Sequence, residues 1–319
     1  MKVGGFSMVC HMKRVFLAVI FCGLPLLAHT GYGIIFDKQD NLYFTDIHNQ
    51  VIWKLKPGGA PEALLLERWT HSLALDAQGN LFFDHEELQT GQWFTSLWKM
   101  APSGELTEVV AKTINRRYFD GNAWSIDPSG GVFFFYERLP KSHYMVKLEE
   151  GKMIQVAGGR QGMADGVRGA ARFSGVQAVI FHDDGRFYLT DGDRLRSINS
   201  EGIVTTIAKD LVLKDPPNPP GERGGPREIN GLYGLAVQGE FFYVAYYGNS
   251  MVYKINRAGE ASTFYQSEKT WSPVGVALDS KGVIHVLESV PRKGPKVTRV
   301  LANGKSETVA LIELTQKDH

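Results

Sequence analysis

The sequence predicts an all-β protein, a six-bladed β-propeller built from four-stranded antiparallel blades. A unit made of an apolar strand, a turn and a second apolar or aromatic strand recurs six times between residues 30 and 314. A second landmark follows each copy: a mostly basic residue, an apolar residue and then a glycine turn. Both landmarks recur every 39 to 57 residues, which is the period of a propeller blade. Helical periodicity is absent from these units, and this excludes a helical repeat.

The first landmark predicts the two inner strands of each blade. Short runs rich in β-branched and aromatic residues, joined by turns such as Asp76 to Gly79, are typical of antiparallel hairpins. The Asp can cap its own turn, and the glycine accepts a positive φ without steric cost. One such sheet cannot bury both of its apolar faces, so six of them stack around an axis. The six pairs are 33–37 with 42–44, 72–76 with 81–83, 123–127 with 132–135, 178–182 with 187–189, 234–237 with 241–244, and 275–279 with 283–286.

The second landmark predicts the third strand of each blade and the turn into the fourth. Five of the six copies keep the same five-residue offset between the first residue and the glycine. A β-sandwich, the competing interpretation, does not require the same turn six times. Neither end of the chain has an additional strand that could complete the blade formed by the other end, so the sequence leaves open how the ring closes. The predicted blades are residues 30–68, 69–114, 115–172, 173–228, 229–270 and 271–314, which together form a single domain.

The composition is that of an ordinary globular protein. The 319 residues include 43% hydrophobic and 22% charged residues, which excludes a disordered chain. The 35 Lys and Arg against 34 Asp and Glu give a net charge of +1. Such a balance offers no basic surface for nucleic acid or an anionic membrane, so neither is expected as a partner.

The N-terminal segment has the pattern of a secretory signal peptide. A basic start at residues 12–14 precedes an apolar run over 15–22, which Gly23 and Pro25 end. Residues 1–28 are therefore expected to be removed, and Met12 is an alternative start that would leave residues 1–11 untranslated. A membrane anchor would need about 20 predominantly apolar residues, so no stable span is expected after cleavage. We expect export to the periplasm or the extracellular space. Both cysteines lie within residues 1–28, so the mature chain would contain no cysteine and would form no disulfide.

One stretch carries a family resemblance. A glycine-rich connector with Asp165-Gly166 and Ala171-Arg172-Phe173 precedes a strand pair that ends in Asp191 and a basic strand over 194–198. These residues resemble the NHL repeat over about 55 positions. The fifth blade, with Tyr247-Gly248-Asn249, is similar to blades of the related gluconolactonase and senescence-marker-protein-like propellers. The resemblance implies a six-bladed ring but no particular reaction, since such propellers include lactonases, lyases and binding modules.

Two rings of side chains are expected at the mouth of the central channel. The innermost strand of each blade lines the channel, and the residue before its first small residue should point towards the mouth. The second strand runs back to the mouth, so its last residues form a second ring there. Polar groups that converge at such an opening are the default site for a ligand. We predict ligand binding by Tyr32, His71, Asn122, Gln177, Tyr233 and Tyr247. The other predicted mouth residues are Val274 in the first ring and Asp46, His85, Tyr136, Asp191, Tyr246 and Glu288 in the second.

Catalytic and metal-binding residues are predicted for a smaller set. His71 and Asp120 are the catalytic candidates, although the sequence neighbours of His71 include no acidic partner. Asp120 and Asn122 combine a carboxylate and an amide, oxygen ligands that suit a hard cation, and Asn230 is the third metal candidate. The lactonase resemblance implies a Glu at the start of the first blade. Residues 30–33 are Thr-Gly-Tyr-Gly instead, which weakens the prediction of a metal.

Two functions remain open from the sequence. The favoured one is a binding module that holds a small molecule, glycan or peptide at the channel mouth and needs no cofactor. The alternative is a metal-dependent hydrolase or lyase of the gluconolactonase-like class, with calcium, zinc or manganese as its cation. A structural role in an envelope assembly, through a protein partner, is a third interpretation.

Overall fold

The computed structural model describes residues 31–114, 123–136, 142–217, 230–268, 270–290, 293–301 and 303–314, and it forms a six-bladed propeller. Blade 1 contains β1 (Ile34–Phe36), β2 (Leu42–Asp46), β3 (Val51–Leu55) and β4 (Pro61–Leu66). Blade 2 contains β5 (Leu73–Leu75), β6 (Leu81–Gln89), β7 (Gln92–Met100) and β8 (Leu106–Ile114). Blade 3 contains β9 (Trp124–Ile126), β10 (Val132–Tyr136), β11 (Ser142–Glu149) and β12 (Lys152–Arg160).

The second half of the ring repeats this order. Blade 4 contains β14 (Val176–Phe181), β15 (Phe187–Asp191), β16 (Arg194–Ile198) and β17 (Ile203–Ala208), with the short strand β13 (Gly166–Val167) added outside β17. Blade 5 contains β18 (Leu232–Gln238), β19 (Phe241–Tyr246), β20 (Met251–Asn256) and β21 (Ala261–Gln266). Blade 6 contains β22 (Ser272–Leu278), β23 (Ile284–Ser289), β24 (Lys296–Val300) and β25 (Ser306–Leu311). The predicted fold class is confirmed.

One predicted blade boundary is wrong. Residues 115–172 were assigned to blade 3, but Gly166 and Val167 pair with Val204 and Ile203 of β17. The connector therefore crosses to the outer edge of blade 4 before it enters the hub at β14. The pairing covers an outer strand whose N–H and C=O groups would otherwise be open to another chain.

The turns between the first two strands are closed as the sequence predicts. The Asp side chain accepts hydrogen bonds from the backbone N–H groups two and four residues further on, at 2.8–3.0 Å. This contact recurs in four of the six blades, and it fixes the hairpin that positions each inner strand. The four residues are Asp37, Asp76, Asp127 and Asp279.

Inner strands meet around the ring, and their aromatic and aliphatic side chains fill the spaces between blades. The first strand of each blade contacts the first strand of the next, from β1 through β5, β9, β14, β18 and β22 and back to β1. Between them the core includes Phe44, Phe83, Trp124, Phe173 and Phe242, all nearly inaccessible to solvent. Among the described residues, no helix has the length and apolar character needed to cross a membrane. Residues 1–28, the predicted signal peptide, lie outside the described part of the chain.

The ring closes by direct packing of blade 6 against blade 1, and no strand in the described ranges is shared across this seam. Asp40 accepts hydrogen bonds from the backbone N–H and hydroxyl of Ser280, at 2.8 and 2.7 Å. At the hub, Gly275 packs so closely on blade 1 that a Cβ there would lie 2.3 Å from the carbonyl oxygen of Tyr32. Only glycine allows this approach.

Gly275→Ala is therefore expected to destabilise the ring at its seam. The added methyl group has to push the two inner strands apart, and overpacking of this kind costs about 1–3 kcal/mol. The free energy of unfolding from urea titration measures the loss. Gly175→Ala is the matched control, because a Cβ at Gly175 meets no atom within 4 Å. Equal stability of both variants would contradict this account of the seam.

Candidate functional site

The predicted mouth residues occupy equivalent positions. Each first-ring residue comes directly before the residue of the innermost strand that lies opposite the end of the second strand. In blade 1 that opposite residue is Gly33, whose carbonyl accepts a hydrogen bond from the backbone N–H of Thr45. In blade 6 it is Gly275, which pairs with Leu287. Asn122 and Asp120 lie outside the described residues. The described members of the ring are Tyr32, His71, Gln177, Tyr233 and Val274.

The structure divides this ring into a closed and an open part. Over blades 6, 1 and 2, the exposed fractions of Val274, Tyr32 and His71 are 0%, 7% and 1%. Over blades 4 and 5, Gln177 is exposed and Tyr233 is half-buried. The pairing of the first two strands shifts register at Gln177 and at Tyr233, but it also shifts at the buried Val274, so the shift alone does not account for the difference in exposure. Within the first ring, the accessible described positions are therefore those of blades 4 and 5.

Tyr247, another predicted ligand-binding residue, is buried and packs against Tyr233. Only 3% of its surface is exposed, and its ring packs on that of Tyr233 with 5.7 Å between centroids and 49° between planes. Tyr247 thus holds the ring of Tyr233 in place, whereas Tyr233 itself keeps an accessible face.

The predicted second ring consists mainly of buried residues that hold the blades together. Asp46 accepts hydrogen bonds from the backbone N–H of Asn49 at 3.0 Å and from the indole of Trp53 at 3.1 Å. Glu288 accepts from Tyr265 at 3.3 Å and pairs with Lys296 at 3.1 Å. A buried carboxylate needs such partners because its desolvation is costly. Neither carboxylate is accessible to a ligand.

Asp191 belongs to a buried charged network within the NHL-like stretch. Its carboxylate accepts a hydrogen bond from the guanidinium of Arg196 at 2.7 Å and one from the backbone N–H of Ser174 at 2.9 Å. The same guanidinium donates to Asp165 at 2.8 Å and to the carbonyl of Ala164 at 2.6 Å. Arg196 is fully buried. The network fastens the glycine-rich connector to blade 4 and so fixes the start of β14, where Gln177 lies.

His71 has an acidic partner that its sequence neighbours do not reveal. Asp84 Oδ2 lies 3.1 Å from His71 Nδ1 and also accepts the backbone N–H of His71 at 2.9 Å. Asp84 Oδ1 accepts from Ser72 N at 2.8 Å and from the indole of Trp124 at 3.2 Å. The acidic partner is absent from the sequence neighbours of His71 and is supplied by the next strand, β6. The strand pairing brings together residues 13 apart in the sequence.

The His71–Asp84 pair is oriented but not accessible. A carboxylate on Nδ1 fixes the ring and its tautomer, the arrangement of an imidazole that acts as a base. His71 Nε2 faces Glu86, whose Oε2 is 4.0 Å away. His71, Asp84 and Glu86 have exposed fractions of 1%, 0% and 7%. In this conformation the pair joins blades 1, 2 and 3, since the His71 carbonyl also accepts the N–H groups of Tyr32 and Gly33 at 2.8 Å.

Asn230, the third metal candidate, uses both side-chain atoms within the protein. Its Oδ1 accepts from the hydroxyl of Tyr246 at 2.9 Å, and its Nδ2 donates to the carbonyl of Leu213 at 2.8 Å. These bonds hold Leu213, Asn230 and Tyr246 together. Within the described ranges, no group of three His, Cys, Asp or Glu side chains could hold a metal ion.

Asp84 was missed by the sequence analysis, although the repeat contains its signal. Ser72 N donates to Asp84 Oδ1 in blade 2, as Ala178 N donates to the hydroxyl of Thr190 in blade 4. Aligning the strands of these two units places Asp84 at the position of Thr190. A carboxylate where the repeat has a hydroxyl marks a buried charge that needs a partner.

Comparison with known proteins supports the fold alone. No protein-family model and no curated protein matches the chain. Among solved structures, a streptogramin B lyase is 14% identical, with 91% of this chain and 85% of that chain covered and a TM-score of 0.55. A chain of a nidogen–laminin complex is 14% identical (85% and 93% covered, TM-score 0.57), and a glucose dehydrogenase is 12% identical (85% and 96% covered, TM-score 0.58). Identities this low show a shared propeller fold, and the NHL-repeat assignment stays a prediction.

Removal of the Asp84 carboxylate is expected to be strongly destabilising. Asp84→Ala leaves the buried imidazole, the indole of Trp124 and two backbone N–H groups without their acceptor, and each buried donor left unsatisfied costs about 1–3 kcal/mol. Chemical denaturation measures the free energy of unfolding. The control is Asp183→Ala, a change at an exposed carboxylate that should stay within about 0.5 kcal/mol of the wild type. A loss no larger than that of the control would show that the contact is unimportant.

Stability is also expected to fall as the pH falls below about 6.5. Burial lowers the pKa of His48, against the opposing effect of Asp46, and burial together with Arg68 lowers the pKa of His85. In the unfolded chain these histidines take up protons near the ordinary pKa of 6.5, whereas in the folded protein they stay neutral to lower pH. Their contribution is thus present above pH 6.5 and lost below it. A variant with Gln at both positions should lose less stability than the wild type between pH 7.5 and 5.5, and an unchanged difference would refute the assignment.

Proposed function

We propose that the protein is an exported binding module that holds a small molecule, glycan or peptide at the mouth of its propeller, in the sector of blades 4 and 5. One observation carries the proposal. Among the five equivalent mouth positions that the structure describes, the two in this sector, Gln177 and Tyr233, are accessible, while Tyr32, His71 and Val274 are buried.

The accessible groups are suited to recognition. The amide of Gln177 can donate and accept hydrogen bonds, and the phenol of Tyr233 offers an aromatic face and a hydroxyl. Neither has a charge change near neutral pH. Asp191, a buried carboxylate of blade 4, is already bonded to Arg196 and to the backbone N–H of Ser174. A ligand in this sector would thus meet neutral polar and aromatic groups held by a rigid frame.

A metal-dependent hydrolase or lyase is the second candidate, and the His71–Asp84 pair is the observation that favours it. An imidazole oriented by a carboxylate is the form of a general base. The pair is buried, however, so this function requires a movement that opens blade 2 to a substrate. Binding at blades 4 and 5 requires no such movement.

The binding function predicts thermal stabilisation by a ligand. Melting temperatures measured with a panel of neutral monosaccharides, amino acids and dipeptides should rise for at least one compound, because a ligand at 100 times its Kd adds about 2.7 kcal/mol. Gln177→Ala combined with Tyr233→Ala should abolish the rise. Phe241→Ala, at the other end of β19 and 37% exposed, should retain it.

Two results would count against the proposal. One is a rise that survives the double substitution. The other is stoichiometric calcium, zinc or manganese in the mature protein by elemental analysis, together with turnover of a stabilising compound, which would favour the hydrolase or lyase.

A further inference from the structure

The seam between blades 6 and 1 is held by contacts at its two ends and by apolar packing between them. At the end far from the mouth, Asp40 of blade 1 accepts the hydrogen bonds of Ser280. At the mouth end, Asn49 Nδ2 of blade 1 donates to the carbonyl oxygen of Glu313, which follows the last strand of blade 6, at 3.1 Å. Between these ends, Leu287 of blade 6 belongs to the same apolar core as the inner strands of blade 1. A charge buried in such a seam opposes its closure.

A buried histidine lies in the seam at the end far from the mouth. His285 of β23 is 6% exposed. Its ring meets that of Phe36 in blade 1 edge to face, with 4.7 Å between centroids and 66° between planes. Its Nδ1 lies 3.2 Å from the carbonyl oxygen of Val283 in its own blade. The imidazole thus fills space between the two blades, and a charge on it would lack water as long as the seam stays closed.

Burial outweighs the charged groups that surround His285. Burial lowers the pKa of His285 below its ordinary value, and Arg299, directly across from it on β24, acts in the same direction. The Val283 carbonyl, Asp279 in the adjoining turn and Asp40 in blade 1 act in the opposite direction without cancelling the effect. The closed seam therefore keeps this imidazole neutral at a pH where a solvated histidine is already charged.

A second histidine lies at the mouth end of the same seam. His48, in the turn between β2 and β3, lines a narrow cleft together with Ser289 and Glu288 of blade 6. Its Nε2 is buried and has no hydrogen-bond partner within the described part of the chain. Burial lowers the pKa of His48, and Asp46 in its own blade opposes this effect. Glu288, the carboxylate that faces the cleft from blade 6, is already paired with Lys296 at 3.1 Å.

From this arrangement we propose that the seam between blades 6 and 1 is an acid-sensitive joint, in which protonation of His48 and His285 favours an open state. Each imidazole, once charged, is better solvated when the two blades separate. Opening uncovers Tyr32 and Val274, the two buried mouth residues on either side of the seam. At acid pH the mouth thereby gains an apolar entry beside blade 1. The inference concerns the ring itself and does not depend on the ligand proposed for blades 4 and 5.

The size of the effect follows from proton linkage. A histidine that has the ordinary pKa of 6.5 in the open state and stays neutral in the closed state raises the equilibrium constant for opening by about tenfold between pH 7.5 and 5.5. Two such histidines raise it by up to about a hundredfold. The open state is thus suppressed above pH 6.5 and becomes more populated below it.

The test is the accessibility of a thiol placed in the seam. In the full chain with Cys10→Ser and Cys22→Ser, Leu287→Cys introduces the thiol where the native side chain is 1% exposed. Its rate of reaction with dithiodipyridine is divided by the rate of Leu311→Cys, a 58% exposed position on β25, at the same pH. This ratio measures opening, and it should rise at least tenfold from pH 7.5 to 5.5. Val274→Cys, a smaller change of volume in the same seam, gives a second reading.

Two comparisons decide the outcome. Leu97→Cys, buried within blade 2, reports unfolding of the whole protein, and its ratio should rise less than that of Leu287→Cys. Combining His48→Gln with His285→Gln should reduce the rise at Leu287→Cys to the level of Leu97→Cys. Equal rises at the two buried thiols in the wild-type background would overturn the assignment to the seam. A rise in the seam that survives both histidine substitutions would overturn the role of the histidines.

Discussion

The close approach of the inner strands at the hub is the constraint on which the rest of the structure depends. A Cβ at Gly234 would lie 2.9 Å from the carbonyl oxygen of Val274, and one at Gly33 would lie 2.9 Å from the backbone nitrogen of Leu73. Since real Cβ atoms do not tolerate such contacts, glycine at these positions sets how narrow the ring can be. The residue just before the first small residue of each inner strand is thereby held at the rim of the channel, and the packing around its side chain decides whether it is exposed.

Charged groups at the mouth serve mainly to hold this ring together. Asp84 joins blades 2 and 3 through His71 and Trp124, and Asp191 fastens a connector through Arg196. Carboxylates buried in this way need several donors to offset their desolvation, so they are not available to a ligand. The groups that remain accessible are neutral, and this is the physical reason that recognition is favoured over acid–base chemistry at Gln177 and Tyr233.

The repeat made most of the fold predictable from the sequence. Most of the site could not be predicted, because the sequence does not show which mouth residues are buried. Six copies of one hairpin define six blades, and the position before each first small residue identified Tyr233 and Gln177 correctly as equivalent. Their different exposure from Tyr32 and Val274 depends on how neighbouring blades pack, which no local pattern contains. The partner of His71 was missed because a search of sequence neighbours cannot find a contact made across a strand pair.

The positions that matter for function are therefore those at which equivalent residues of the blades differ in exposure. A symmetric ring would present the same residue six times, whereas this one closes over blades 6, 1 and 2 and opens over blades 4 and 5. In a ring of six, blade 2 stands opposite blade 5, so the buried His71 lies across the axis from Tyr233. A ligand in contact with both sides must span the channel, and the width of the channel is set by the glycine contacts between inner strands. The same backbone packing that closes the propeller thus also fixes the smallest ligand that can use the whole mouth.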